Sequence, residues 1–454
     1  MRRNPLVLAL ALALPFSAIT GSAHAADLMQ TYELARSGDP QLAAAESDRL
    51  AQKEGAVQAR AALLPQISGD ATFNRSRSEL DGVPGSSTNS SRGYGVGLNQ
   101  SVIDFSRYSA LRGQRALSVA ADYNLEAAND SLITRTSAAY FNVLVAIEIL
   151  TAAQAQQTAL QKQFDYAQKR LDVGLAPITD VHEARAQFDT ARAAVITREK
   201  VLQDAYQALT EITGQPIDNL KGLPEDFRPE LPTDYDAAGW VNAAIAQNPA
   251  LKSLEYQVQS ADANVSTARA GHLPTLSLGG SWGKDRAWGD STVGTIVGDS
   301  TGTSVGLTLS VPIFSGGATQ SRVRQAIANR DSTQDFYEQQ KRAIVRNTRN
   351  AYQVLEAGIS EIEARRLAVV SSRAAYEASQ VGLEVGTRTV LDVLINQQNL
   401  FEAQQLYALS RYNYLQNRLL LDQAAGTLDA DDVMNINRLL TADTGSNLQS
   451  SITP

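Results

Sequence analysis

The sequence predicts a mixed fold. A transmembrane β-barrel segment with four strands per subunit is continued by a long α-helical coiled-coil barrel, and the plan is duplicated within the chain. Three observations predict it. The motif V-G-x5-D-V occurs twice, at 173–181 and 385–393, each time between two long helix-compatible stretches. Landmarks recur in order: Asp39-Pro40, Leu64-Pro65 and the segment 101–105 return 209 residues later, and Ala139-Tyr140 and Asp180-Val181 return 212 later. Finally, four stretches alternate apolar with small or polar residues at period two, the pattern of a strand with lipid on one side and water on the other.

Taken in order, residues 1–25 carry the marks of a secretory signal: basic Arg2 and Arg3, an apolar run from Leu6 to Leu14, and Ala23-His24-Ala25 as a cleavage site. The first repeat is expected over 26–213. Helix covers 27–63, broken near Gly38-Asp39-Pro40, and strands follow at about 64–75 and 93–105, joined by a long polar loop over 76–92. Residues 106–173 hold no proline and one glycine, Gly113, which predicts a rod of about 100 Å at 1.5 Å per residue. Gly174 closes that helix and Asp180 falls in the first turn of the next, where the positive end of the dipole favours a carboxylate. The second helix carries a heptad stripe through Val181, Ala184, Phe188, Ala191 and Val195, which is coiled-coil packing with close approach at the alanines. Pro216, Pro224, Pro229 and Pro232 mark 214–239 as a linker or irregular belt. The second repeat is expected over 240–428, with strands at about 273–284 and 303–314 and a tip at 386–392 headed by Gly386. Trp282 and Trp288 are expected near a strand end, as interfacial aromatics. Residues 429–454 read as a polar, mobile tail.

Composition narrows the function. The net charge of −8 has no basic block, which argues against nucleic acid. There is no cysteine, hence no disulfide, thiolate metal site or lipid anchor. His182 and His272 lack ligand spacing, and the segment 280–284 lacks that of a phosphate loop, so no catalytic residue, metal site or cofactor is expected. After residue 25 no run of 18 apolar residues is present, so no spanning helix is expected.

Four strands cannot close a barrel, and an open sheet edge does not survive in lipid. The chain must therefore assemble: two copies give eight strands, three give twelve. Helical legs packed side by side then extend the pore into a conduit. A trimeric coiled-coil envelope spacer or adhesin on a barrel anchor is the alternative architecture, and it needs its rods outside the cell.

The layout resembles the TolC family of outer-membrane efflux proteins over nearly all of the chain beyond the signal. The likeness is strongest at 385–393, at Ser410-Arg-Tyr-Asn-Tyr-Leu415 and at Ala425-Gly-Thr-Leu428, and it favours the TolC branch over lipid-anchored drug-efflux cousins. The resemblance implies a homotrimer in the outer membrane with a large periplasmic portion. It implies docking to a periplasmic adaptor and an inner-membrane efflux pump or ABC transporter. It also implies export of drugs, toxic small molecules or type I secreted proteins. By position, Asp392 rings the closed entrance, and Arg388 reaches Thr179 and Asp180 on the other hairpin as a latch. The local reading of Asp392 stands beside this, because Thr389-x-x-Asp392 is also a capping box. The sequence departs from the family pattern at Ile395, where a second aspartate is expected, and at Leu383, where a latch tyrosine is expected. A single, weaker acidic ring follows.

Overall fold

A computed structural model describes residues 27–443 apart from 80–85, 176, 225, 234, 292 and 293. The expected signal segment and residues 444–454 of the expected tail lie outside the described residues.

Each repeat begins with two short helices: α1 (Leu28–Gly38) and α2 (Pro40–Ala61) in the first, α5 (Ala237–Gln247) and α6 (Pro249–Ala270) in the second. The joints are alike. Asp39 accepts the Leu42 N–H at 3.0 Å and Asn248 accepts the Leu251 N–H at 3.1 Å, each followed by proline at the first helical position. Strands β1 (Gln66–Glu79) and β2 (Ser86–Ile103) follow α2, and β4 (Thr275–Ser291) and β5 (Gly294–Ser310) follow α6. The rods come next: α3 (Phe105–Asp172) and α4 (Ile178–Thr213) form one hairpin, α7 (Ala318–Glu384) and α8 (Val390–Ala425) the other.

The strands form one antiparallel sheet in the order β1-β2-β4-β5. Each hairpin pairs along its whole length, and the two repeats meet where β2 lies against β4. Beneath the sheet α3 packs against α2 and α6, with α7 beside α6; further down α3 packs against α4 and α8, with α7 beside α8. The chain is thus a curtain one element thick, with β1, α2 and α4 along one flank and β5 and α7 along the other.

The strands run further than expected. The segment 76–92, expected as a loop, is strand at 76–79 and 86–92, paired from Ser76↔Asn89 to Glu79↔Ser86. Serine and asparagine obscured it because both faces are polar there, so no period-two signal survives. Trp282 lies inside β4 and Trp288 three residues from its end, because β4 continues to Ser291.

The main core lies at the equator, where both hairpins enter it with Leu144, Tyr140, Tyr412 and Leu415 fully or nearly fully buried. The expected linker is fastened there. Tyr140 Oη donates to the Lys221 carbonyl at 2.8 Å and accepts the Lys221 N–H at 3.0 Å. Arg411 binds Glu148 at 2.8 Å and the Pro224 carbonyl at 3.2 Å, and Tyr412 Oη donates to Glu148 at 2.9 Å. The expected tail is also structured over its first part. Helix α9 (Ala430–Asn437) starts on an Asp429–Asp432 capping box and buries Val433 and Ile436, and β6 (Ala442–Asp443) pairs with β3 (Lys221–Gly222). The acids that made 429–432 look like solvated chain are the cap of this helix.

The duplication is visible in how the long helices end. Gly214 caps α4 and Gly426 caps α8, both left-handed, with φ of 69° and 73°. Gly214 lies against Gly38, and a Cβ on Gly426 would stand 2.5 Å from the Asn248 Cα. Each hairpin thereby abuts the short-helix joint of its own repeat, and glycine permits the approach at Gly426 and at Gly38, where a Cβ would stand 2.6 Å from the Thr213 carbonyl oxygen.

One stretch of α3 is long and apolar enough to cross a membrane by composition, but 67% of it is buried inside the protein. It is the core segment of the rod. Asp130 on α3 is buried beside Glu126, and burial, with that neighbouring charge, pushes its carboxyl up to about 7. Between the ordinary carboxylate value of about 4 and 7, unfolding releases a proton that the folded chain retains, so stability falls as pH rises through that window. Asp130→Asn is expected to melt higher than the native chain at pH 8, with the gap narrowing at pH 5; thermal melts at the two values check this.

Candidate functional site: the hairpin tips

Both tips are built by the same local chemistry. At the first, Gly174 N–H bonds the Leu171 carbonyl and Leu175 N–H the Arg170 carbonyl, both at 2.8 Å. At the second, Gly386 N–H bonds Leu383 at 3.2 Å and Thr387 N–H bonds Gly382 at 2.8 Å. These are paired helix-closing bonds that need a left-handed residue, and Gly174 and Gly386 supply it with φ of 76° and 78°.

The tips then diverge. Helix α4 starts after Pro177 with no side-chain cap, leaving half-buried Asp180 in its first turn and Thr179 exposed. Helix α8 starts on a complete capping box. Thr389 Oγ1 accepts the Asp392 N–H at 3.2 Å, and Asp392 accepts both the Thr389 N–H and its hydroxyl at 2.9 Å. The Thr389 N–H, then its hydroxyl, and Arg388 nearby hold the Asp392 carboxyl below its ordinary value. It is therefore an anion at any physiological pH.

Arg388 does not reach Thr179 or Asp180 within the chain: no hydrogen bond or ion pair links them. Its stem folds back over the end of α7, where a Cβ on Gly382 would stand 2.6 Å from its Cγ. Gly382 is the residue that makes this route possible, and sequence reasoning gave it no role.

Something else joins the hairpins near their tips. Leu160 of α3, Ala191 of α4, and Val390 and Leu394 of α8 form a buried apolar cluster, with Phe188 and Leu383 packed against it. Leu383, at the expected tyrosine position, adds to this contact. Phe188 also stacks on Phe164, with centroids 6.4 Å apart and planes within 8°. Below the equator, this is the cluster among the described residues that spans both hairpins; the other two lie within the first. The heptad stripe marks only Phe188 and Ala191 of it, since its members come from four helices. Ile395, where a second acid is expected, is 48% exposed and lies three residues beyond Asp392 on the same helical side. Among the described residues no cluster of His, Cys, Asp or Glu has metal-binding geometry.

Comparison with known proteins agrees with this architecture. The family model described as outer membrane efflux protein matches residues 31–215 and 240–427, one segment per repeat. The chain is 35% identical over 451 residues to outer membrane protein TolC of Escherichia coli K12, covering 97% of this chain and 90% of that protein. It is 31% identical over 424 residues to the alkaline protease secretion protein AprF of Pseudomonas aeruginosa, covering 90% of this chain and 86% of that protein. The crystal structure of the Campylobacter jejuni CmeC outer membrane channel superposes with a TM-score of 0.78 at 18% identity, covering 99% of this chain and 97% of that one. A duplicated curtain of strands and rods, matched end to end by such relatives, places the chain in the outer membrane efflux protein family.

Proposed function

We propose that three copies of this chain form a closed duct, an outer-membrane barrel of twelve strands on a helical tunnel. This duct serves as the exit of an efflux or type I secretion system. The observation that carries this reading is the pair of unpaired edges, β1 and β5, at the two flanks of one sheet. An unpaired edge in lipid leaves a row of backbone groups unsatisfied, so edge must meet edge of another copy. An eight-stranded ring is filled by side chains, whereas twelve leave a lumen. A periplasmic adaptor and an inner-membrane efflux pump or ABC transporter supply the drive, a reading supported by the efflux family match and by a relative named for protease secretion. Drugs, toxic small molecules and secreted proteins are the cargo classes. Native mass determination of the detergent-solubilised protein tests the assembly, and a folded monomer or dimer would refute it.

At the entrance, Asp392 from three copies forms one ring of anions, and Arg388, Thr179 and Asp180 form the latch at contacts between neighbouring copies. An exposed pair of that kind contributes only about 0–1 kcal/mol. A single ring attracts a trivalent cation weakly. Ile395→Asp is expected to tighten block by a trivalent cation at least tenfold, by placing a second anion on each α8 where charges add at short range. Asp392→Ala should remove what block remains. Single-channel conductance measures both; tight block in the native channel that Asp392→Ala abolishes would contradict the weak ring.

A further inference from the structure

The sheet register sorts its side chains onto two faces, because antiparallel partners point the same way. One face carries Gly97, Gly283, Gly302 and Ser68 at the level where the other carries Val96, Trp282, Val305 and Ile67. The second face is the lipid face, because near the helices its side chains are apolar: Ile67, Leu98, Val305, Leu307 and Leu309. Higher up, away from the helices, that face turns basic. Lys284 stands opposite Tyr94, Arg92 stands opposite both Phe73 and Arg286, and Arg75 stands opposite Ser90.

Two features single this patch out. Like charges directly opposite on neighbouring strands destabilise a sheet, yet Arg92 faces Arg286. Arg286 has a partner in Asp299 at 3.5 Å, but Arg92, Lys284 and Arg75 make no ion pair with a described residue. The second feature is height. From the Leu276–Leu309 pair to the Arg92–Arg286 pair is about ten residues, roughly 33 Å along a strand at ~3.3 Å per residue. With a tilt of about 40° this gives a rise of roughly 25 Å, the thickness of the apolar band of such barrels. The cations therefore stand at the headgroup level of the outer leaflet, bordered by the aromatic pairs Tyr94–Trp282 and Phe73–Trp288 at 6.0 and 6.2 Å. Guanidinium groups at that level match phosphate oxygens bidentately.

We propose that Arg92, Arg286, Lys284 and Arg75 form a binding surface for the phosphorylated headgroup of an outer-leaflet glycolipid, with the Tyr94–Trp282 pair on the membrane side contacting its apolar part and Phe73 and Trp288 standing at the level of the arginines. The inference rests on the outer-membrane barrel reading. A headgroup with two phosphates fits better than one with a single phosphate, because the cations spread over three strands, about 10 Å at 4.8 Å per strand.

The test uses the purified full-length channel reconstituted in phosphatidylcholine nanodiscs, with diphosphorylated lipid A as the probe. Retention is read by native mass spectrometry. The native channel is expected to retain lipid A, and Arg92→Gln with Arg286→Gln to lower its apparent affinity at least tenfold. Arg92→Lys with Arg286→Lys should restore part of the loss. Arg349→Gln, well down α7 from the sheet, should change nothing. Equal retention by the Gln pair would overturn the proposal, as would equal binding of phosphatidylglycerol, which marks mere attraction to any anionic lipid. Conductance of the same preparations separates the two ideas: a channel that conducts normally without holding lipid A defeats the lipid site and leaves the barrel standing.

Discussion

Val305→Arg is expected to abolish the assembled channel, while Gly306→Ser beside it is expected to leave assembly and conductance near native. Val305 lies on the apolar face of β5, opposite Gly280, and is 79% exposed in the isolated chain. Its level is near the middle of the apolar band, where an arginine facing lipid costs about 2–4 kcal/mol. Three copies per barrel raise this to roughly 6–12 kcal/mol, comparable with the whole stability of a typical domain. Gly306 points to the other face, where a Cβ would meet nothing within 4 Å, so a small polar side chain there faces water. The readouts are the trimer band on a heat-modifiable gel and flotation with membranes. A Val305→Arg channel that inserts and conducts normally would show that the faces are reversed, and the lipid site proposed above would fall with it.

This alternation explains which parts of the fold were legible. The lower half of each strand is written in residues such as Leu307, Leu309, Val96 and Ile67, whose only satisfactory place at period two is a membrane face. The upper half is not, because above the apolar band both faces are wet and the code lapses into Ser, Asn and Arg. The duplication was legible because each repeat needs the same joints: a capped proline start at Asp39 and Asn248, and a left-handed glycine at each tip. Asp392 was legible as a helix cap for the same local reason. Contacts between distant elements were not legible. Arg388 runs back along α7 because Gly382 leaves room there, and the apolar contact between hairpins draws one or two residues from each of four helices. The α9 cap at Asp429 reads in sequence as solvated tail because its buried partners, Val433 and Ile436, occupy a single turn.

The contact between the hairpins leads to the second large effect. Leu394→Asp is expected to raise single-channel conductance and admit large solutes, with the trimer intact. Leu394 is 4% exposed and packs with Leu160, Ala191 and Val390. Burying a leucine is worth about 1.5–3 kcal/mol, and truncating one in a packed site costs about 2–5 kcal/mol once the cavity is included. A carboxylate in that place is worse, because a buried unpaired charge must be hydrated, which forces the hairpins apart. The equatorial core around Tyr140, Tyr412 and the Glu148–Arg411 pair is separate from this cluster, so barrel and belt should hold while the tips separate. Leu394→Ala should act in the same direction and less strongly. Arg388→Ser should do little, since an exposed arginine contributes at most about 1 kcal/mol. Planar-bilayer recordings, with uptake of a bulky antibiotic by cells expressing each variant, rank the three. If Arg388→Ser opens the channel and Leu394→Asp leaves an intact trimer closed, the entrance is held by polar links between neighbouring copies, and the apolar cluster is only packing within one of them.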